Sequence, residues 1–242
     1  MEKEIKPKIT PFFDILKIAL NGWWKNINKF ILIYFWGLLY TIIPVAIIII
    51  LIGLWAAIPN LIFRVPAIFI GVWAFVFAFY FLIRIYIAIF LLVKNDYRDK
   101  ELAIYKESAN YFWSYFALAL LMMVLICLWF FALVIPAIIF SIFYTFAVYA
   151  FFFEGKRDID AIKRSYQLVK NYWWAVFGRY FGLSVILWAL MYVLSLPLSL
   201  MVENSLLSDI WRALVQIISF LIGPISLLFS YQIYQDLVKI KK

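Results

Sequence analysis

Two pairs of carboxylates, Asp96 with Asp99 and Asp158 with Asp160, are the residues best suited by type and spacing to do chemistry. Such a pair can hold a divalent cation beside a phosphate-bearing substrate. Each pair stands among cations, Lys94 and Arg98 around the first and Lys156 and Arg157 before the second, which is the setting of a helix cap or a solvated loop. Nothing else in the sequence completes a reaction centre. There is no histidine, so the commonest general base and metal ligand is missing. The single cysteine, Cys127, lies in an apolar run and can form no intrachain disulfide. Gly-rich phosphate loops, nucleophile elbows and Cys-x-x-Cys pairs do not occur. The sequence therefore predicts no catalytic residue, no metal site and no cofactor, in a protein that is not an enzyme.

The remaining candidates lie inside apolar runs. Arg84 stands ten residues before Lys94, about 15 Å deeper along a helix, and an ionisable group within a membrane is a functional-site hypothesis by default. Its partners could be Glu154, Asp236 or helix C-terminal carbonyls; the plainer alternative is that it reaches the inner headgroups along its aliphatic stem or simply pairs internally. Near the end of the chain Gln216, Ser219, Gly223, Ser226 and Ser230 recur at steps of three and four, forming one small and polar stripe. Stripes of this kind, like Gly178-x-x-x-Gly182, let membrane helices approach closely. Gly223-Pro224 could instead open the helix so that its carbonyls line a solute path.

These residues must be positioned by membrane helices. The 242 residues are 68% hydrophobic and 14% charged, against about 25% charged in soluble domains. The stretches 30–63, 65–83 and 108–153 carry no charge, and about 20 apolar residues suffice to span a bilayer as a helix. No ten-residue alternation points to a barrel. Breaks at charges, Pro and Asn give six spans, roughly 30–54, 66–92, 113–134, 136–153, 175–200 and 211–235. Pro136 is the expected turn within the third pair of borders, Pro59-Asn60 divides the first two spans, and Glu203, Asn204, Ser208 and Asp209 divide the last two. The first apolar run is too long for a cleaved signal segment and is expected to remain as an anchor.

Arginine and lysine set the orientation. They gather before the first span (Lys3, Lys6, Lys8, Lys17, Lys25, Lys29), between the second and third (Lys94, Arg98, Lys100, Lys106), between the fourth and fifth (Lys156, Arg157, Lys163, Arg164, Lys170, with Arg179 just inside the span) and at the end (Lys239, Lys241, Lys242). The opposite loops carry only Arg64 and Arg212. The positive-inside rule then places both termini in the cytoplasm, in a cell (plasma or inner) membrane. Topology also accounts for the net charge of +9, so no nucleic-acid partner is expected.

One short element recurs at these borders: Asn21-x-Trp23-Trp24, Asn110-x-Phe112-Trp113 and Asn171-x-Trp173-Trp174. The asparagines stand 89 and 61 residues apart, which suggests an irregular triplication with repeats at 10–93, 99–153 and 158–238, together making one membrane domain over 1–242. Ahead of the first element Asp14, Lys17, Asn21, Lys25 and Asn28 form a polar stripe opposite Phe12, Phe13, Leu16, Leu20, Trp23 and Trp24, with Thr10 as candidate cap and Pro11 in the first helical position. Ahead of the third, Asp158 is the candidate cap, Ile159, Ile162, Tyr166, Val169 and Trp173 form the apolar stripe, and Lys163, Gln167 and Lys170 the polar one. The second is weaker, with Leu102, Tyr105, Ala109 and Phe112 on one face and Lys106, Asn110 and Ser114 on another. The fold expected is thus an all-α integral membrane bundle of six transmembrane helices, with cytoplasmic interfacial amphipathic helices before spans one, three and five. Each element marks the corner where such a helix turns into a span: Trp and Tyr sit at the headgroups, the lysines meet anionic lipid, and Asn bonds to backbone groups left open at the junction.

A basic amphipathic helix ending in Asn-x-aromatic-Trp, repeated before spans in a six-helix chain and clearest in SYQLVKNYWWAVFGRYF at 165–181, resembles the glycerophosphoryl diester phosphodiesterase membrane-domain family. The resemblance implies the six-span fold and its topology. It implies no catalytic residue, because the family's hydrolase is a separate domain for which this chain has no room. Two functions stay open. One is a non-enzymatic accessory protein that organises lipid or docks a protein partner, with anionic lipid at the cytoplasmic face; the other is a small permease with a path along span six and Arg84.

Overall fold

The computed structural model describes residues 9–57, 61–201 and 205–241. Their regular structure is entirely helical: α1 (Phe12–Ala57), α2 (Leu61–Lys94), α3 (Glu101–Ala132), α4 (Val134–Tyr144), α5 (Ala147–Glu154), α6 (Asp158–Val169), α7 (Trp173–Leu200) and α8 (Leu206–Ile240). Among the described residues six stretches are long and apolar enough to cross a membrane: α1, α2, α3, α4 with α5, α7 and α8. The chain is an all-α, multi-pass membrane protein. The turns expected at Pro59-Asn60 and at Glu203 and Asn204 lie outside the described residues, as do Lys3, Lys6, Lys8 and Lys242.

Several expected borders move. Among the described residues an amphipathic helix separate from its span exists only before the fifth span, as α6, with the chain leaving the helix at Lys170–Tyr172. In the first two repeats the helix runs on without interruption through Asn21 and Asn110. Composition does not separate the cases, since the third element contains neither Pro nor Gly and yet breaks, whereas the first stays helical through Gly22; Asn and Trp themselves cost a helix only tenths of a kcal/mol. Helix α1 has 46 residues, about 69 Å at 1.5 Å per residue, roughly twice the hydrocarbon thickness. It therefore serves as amphipathic segment and span in one.

The turn expected at Pro136 falls at Leu133, the extended residue before α4. Pro136 takes the third position of α4, where its missing N–H is one that no helical carbonyl would have used. A second break, which no sequence feature announced, separates α4 from α5 at Thr145–Phe146. Ser165 of α6 fills it: its hydroxyl donates to the Phe143 carbonyl (2.6 Å) and accepts from the Phe146 amide (3.0 Å). Helix α5 then ends at Gly155, whose φ of 68° is the left-handed conformation that glycine adopts without a Cβ penalty.

The expected caps are also replaced. Helix α1 starts at Phe12, so Pro11 stands before it, its carbonyl accepting from the Ile15 amide; Asp158 is itself the first residue of α6, at a φ of 46°, and the residue before it, Arg157, provides no side-chain cap. Ser205 does cap α8, accepting from the Ser208 amide at 3.2 Å, and Asp209 in the first turn pairs with Arg212 at 3.5 Å.

Contacts gather the chain into two compact units: a larger one, Met1–Ile27 with Ala117–Lys242, and a smaller one, Asn28–Phe116. Their borders fall inside α1 and α3 and do not follow the three repeats. In the larger unit α6 packs on α4, α5 and α8, and α7 packs on α8 and α4. Its core is built from Phe146, Phe152, Leu168, Phe229, Ile233 and Leu237. In the smaller unit Phe30, Ile33, Ile87, Leu91, Leu92 and Ile104 are buried, while Ile49, Ile50, Phe69 and Phe75 are at least 60% exposed, an apolar surface that lipid must cover. Helices α1 and α2 meet closely at Gly37, where an added Cβ would lie 2.2 Å from Ile85 Cγ1.

Candidate functional site

The three Asn-x-aromatic-Trp elements share one geometry despite their different backbones. The first aromatic turns inward: Trp23 and Trp173 are partly buried and Phe112 is 6% exposed. The second turns outward, with Trp24 72%, Trp113 75% and Trp174 78% exposed. Two inward rings are also tied by hydrogen bonds. The Trp23 indole donates to the Leu221 carbonyl (2.7 Å) and the Trp173 indole to the Ile139 carbonyl (3.1 Å), each reaching a neighbouring span of the larger unit. Asn21, Asn110 and Asn171 are all exposed. Lys25, Lys106 and Lys170, beside or one turn from the elements, are exposed too.

The amphipathic faces can be read directly. Asp14, Lys17, Asn21, Lys25 and Asn28 all face outward on α1, while Ile15 and Ala19 are buried. On α6 the buried line is Ala161, Ile162, Ser165, Leu168 and Val169. Ile159 and Tyr166, expected on it, are exposed, because the line follows the faces toward α4 and α5 and rotates away from both. On α3 the buried set is Ile104, Tyr105, Ser108 and Phe112.

Arg84 is 8% exposed and belongs to the smaller unit. Its Nε donates to Ser108 Oγ (3.1 Å) and its Nη2 to the Tyr105 carbonyl (2.6 Å). The guanidinium carbon lies 4.5 Å from the centre of the Tyr105 ring, 5.3 Å from that of Tyr80 and 5.8 Å from that of Phe81. Tyr40 stacks on both Phe81 and Tyr105. Neither expected acid takes part. Glu154 accepts from Arg164 Nε (2.8 and 3.0 Å) and from the Tyr234 hydroxyl (2.8 Å), while Asp236 accepts from the Thr10 amide (3.0 Å) and from Gln232 (3.3 Å). Arg84 thus rests on a hydroxyl, a carbonyl and ring faces, which suit a weakly hydrated planar cation. The sequence held a signal for part of this cage, since Tyr80 and Phe81 precede Arg84 by four and three residues and so share its helix face.

A second arginine carries weight that the sequence did not reveal. Arg179 of α7 donates through Nε and Nη2 to the Thr10 carbonyl (3.2 and 2.7 Å), through Nη2 to the Ile9 carbonyl (3.1 Å) and through Nη1 to Ala175 of its own helix (2.8 Å). With Asp236 on the Thr10 amide, both polar sides of one residue's backbone are held. Apart from Ala175, the partners of Arg179 lie 169 and 170 residues away in sequence, so no local pattern could have shown them.

The span-six stripe divides along α8. Gln216, Ser219 and Gly223 are exposed, Ser226 is partly buried and Ser230 is buried. The serine hydroxyls close on their own helix, Ser219 to Val215, Ser226 to Gly223 and Ser230 to Ser226, at 2.7–2.8 Å. The carboxylate pairs remain at the surface, with Asp96 on Arg98 at 3.1 Å and Asp99 on Asn95 at 2.6 Å. Among the described residues no three Cys, Asp or Glu side chains come together as a metal site would require.

Compared with protein-family models, curated proteins and solved structures, the chain finds no match.

Proposed function

We propose that this chain is a non-enzymatic multi-pass protein of the cell membrane, with both termini cytoplasmic, that organises anionic lipid or docks a protein partner along its basic ends. One observation carries the reading: in all three elements the second aromatic is a tryptophan that is 72–78% exposed. Exposed indoles beside exposed lysines favour the headgroup level, where the ring is half in hydrocarbon and the cation meets phosphate. The permease alternative has less support, because Arg84 and the stripe serines are engaged by groups of their own helices and neighbours.

The test is reconstitution into bilayers of mixed phosphatidylglycerol and phosphatidylcholine, reading energy transfer from tryptophan to a labelled copy of each lipid. Preferential transfer to the anionic lipid, reduced at least twofold in Trp24→Ala/Trp113→Ala/Trp174→Ala with lysines 25, 106 and 170 changed to Gln, supports the reading. Equal transfer to both lipids sinks lipid organisation. Water-soluble thiol labelling of cysteines placed at Ser219, Gly223, Ser226, Ser230 and Arg84 in a Cys127→Ser background, with Leu221 and Leu228 as controls, would move the assignment to transport.

A further inference from the structure

Between α4 and the start of α7, wholly within the larger unit, lies an open groove of about 800 Å³, inside the roughly 300–1,000 Å³ range of small-molecule sites. It is amphipathic along its length. Ile135, Ile138 and Phe143 of α4 and Phe177 of α7 give it an apolar wall, and Lys170, Asn171 and Tyr172 give it a polar rim at one end. No acidic residue is among those lining it. The wall is held in place by the Trp173 indole on the Ile139 carbonyl (3.1 Å) and by stacking of Trp173 on Phe177, 5.0 Å apart and 6° from parallel.

The rim is positive for three separate reasons. Lys170 is exposed on it. Helix α7 begins there, its first intrahelical bond running from the Val176 amide to the Tyr172 carbonyl (2.9 Å), and the Tyr172 side chain caps none of the amides before it. Those amides and the helix dipole favour an anion. Lys241 stands 5.9 Å from the centre of the Tyr172 ring, adding a second cation. A wall that wants hydrocarbon, ending in a rim that wants a phosphate, matches one class of ligand.

We propose that this groove holds a single anionic phospholipid, one acyl chain along Ile135, Ile138 and Phe143 and its phosphate at Lys170, Asn171 and the start of α7. The proposal rests on the reading of the basic ends as lipid-facing and names the ligand class of one of them. Trp174, 78% exposed at the mouth, is placed to flank the glycerol region. A zwitterionic lipid offers the same chains but brings its own cation to a rim already positive.

The experiment is native mass spectrometry of the full chain, delipidated in detergent and titrated with phosphatidylglycerol, phosphatidylcholine or water-soluble glycerol phosphate. The expected result is one retained phosphatidylglycerol per chain, weakened roughly tenfold or more by Lys170→Glu and by Ile138→Trp, which fills the groove from a half-exposed position. Unchanged helicity by circular dichroism shows that both variants fold. Equal retention of phosphatidylcholine, equal binding of glycerol phosphate, or retention indifferent to both substitutions overturns the proposal. Bilayer enrichment of anionic lipid that persists while this site fails would leave the broader reading standing; loss of both would remove the two together.

Discussion

Each of the two units satisfies an arginine without a carboxylate hydrogen bond, Arg84 buried and Arg179 half-buried, and they do so in opposite ways. In the smaller unit Arg84 is completed by residues within 24 positions of it, Ser108 and Tyr105 on α3 and the rings of Tyr80 and Phe81 on its own helix. In the larger unit Arg179 is completed by the carbonyls of Ile9 and Thr10, at the far end of the chain. The first arrangement locks a helix pair. The second fastens a segment that could come away while the helices stay packed. A guanidinium has donors enough for either task, and what decides between them is whether its acceptors lie on a packed helix or on a short connecting stretch.

The largest effect should come from breaking the lock. Arg84→Ala removes two charge-assisted hydrogen bonds and three ring contacts and leaves a cavity between α2 and α3, so a loss of about 3 kcal/mol is expected. Arg84→Lys should recover less than half, because an ammonium cannot present the planar fork. Equilibrium unfolding in detergent reads both; a lysine variant as stable as the wild type would mean that charge alone matters and the ring cage is incidental.

Breaking the clamp should look different. Arg179→Ala is expected to cost about 2 kcal/mol at most, but to raise amide exchange at Ile15 and the residues just before it far more than in the core around Phe229. The signature is local opening. Exchange that rises equally throughout the larger unit would show that Arg179 holds the bundle itself, and the contrast with Arg84 would fall.

How far this was legible in the sequence follows from how local each cause is. Six spans, the basic ends and the outward polar stripe of α1 rest on runs and on steps of three and four, which are properties of neighbouring residues. The break at Thr145–Phe146 was hidden because nothing local causes it: the hydroxyl that satisfies Phe143 and Phe146 belongs to Ser165 on another helix. Pro136 misled in the other sense, since a proline three residues inside a helix start is tolerated and need not mark the turn. Arg84 stands out in the sequence as an intramembrane cation, with Glu154, Asp236 or helix C-terminal carbonyls as its expected partners; a carbonyl does serve it, that of Tyr105 in the first turns of α3, together with the Ser108 hydroxyl and aromatic faces. Ser165→Ala tests the hidden contribution, with an expected cost of about 1–2 kcal/mol, because a buried amide and carbonyl each lose a partner. It should loosen α4 and α5 without altering the smaller unit's thermal stability, since none of its partners lies there.

The smallest effect should come from the other half of the clamp. Asp236 accepts the Thr10 amide at 3.0 Å through one carboxylate oxygen and the Gln232 amide at 3.3 Å through the other. Asp236→Asn keeps an oxygen that can accept from Thr10 and changes mainly the charge, so a loss of about 1 kcal/mol or less is expected. Asp236→Ala removes the acceptor altogether and leaves the amide to find another, at about 1–2 kcal/mol. The order Ala below Asn in stability, with exchange at the first turn of α1 rising in the same order, would show that the amide is held by hydrogen bonding. An Asn variant as damaged as the Ala variant would instead assign the role to the negative charge lying close to Arg179, and the clamp would then be an ion pair at one remove, closer to Arg84's missing carboxylate than to a backbone grip.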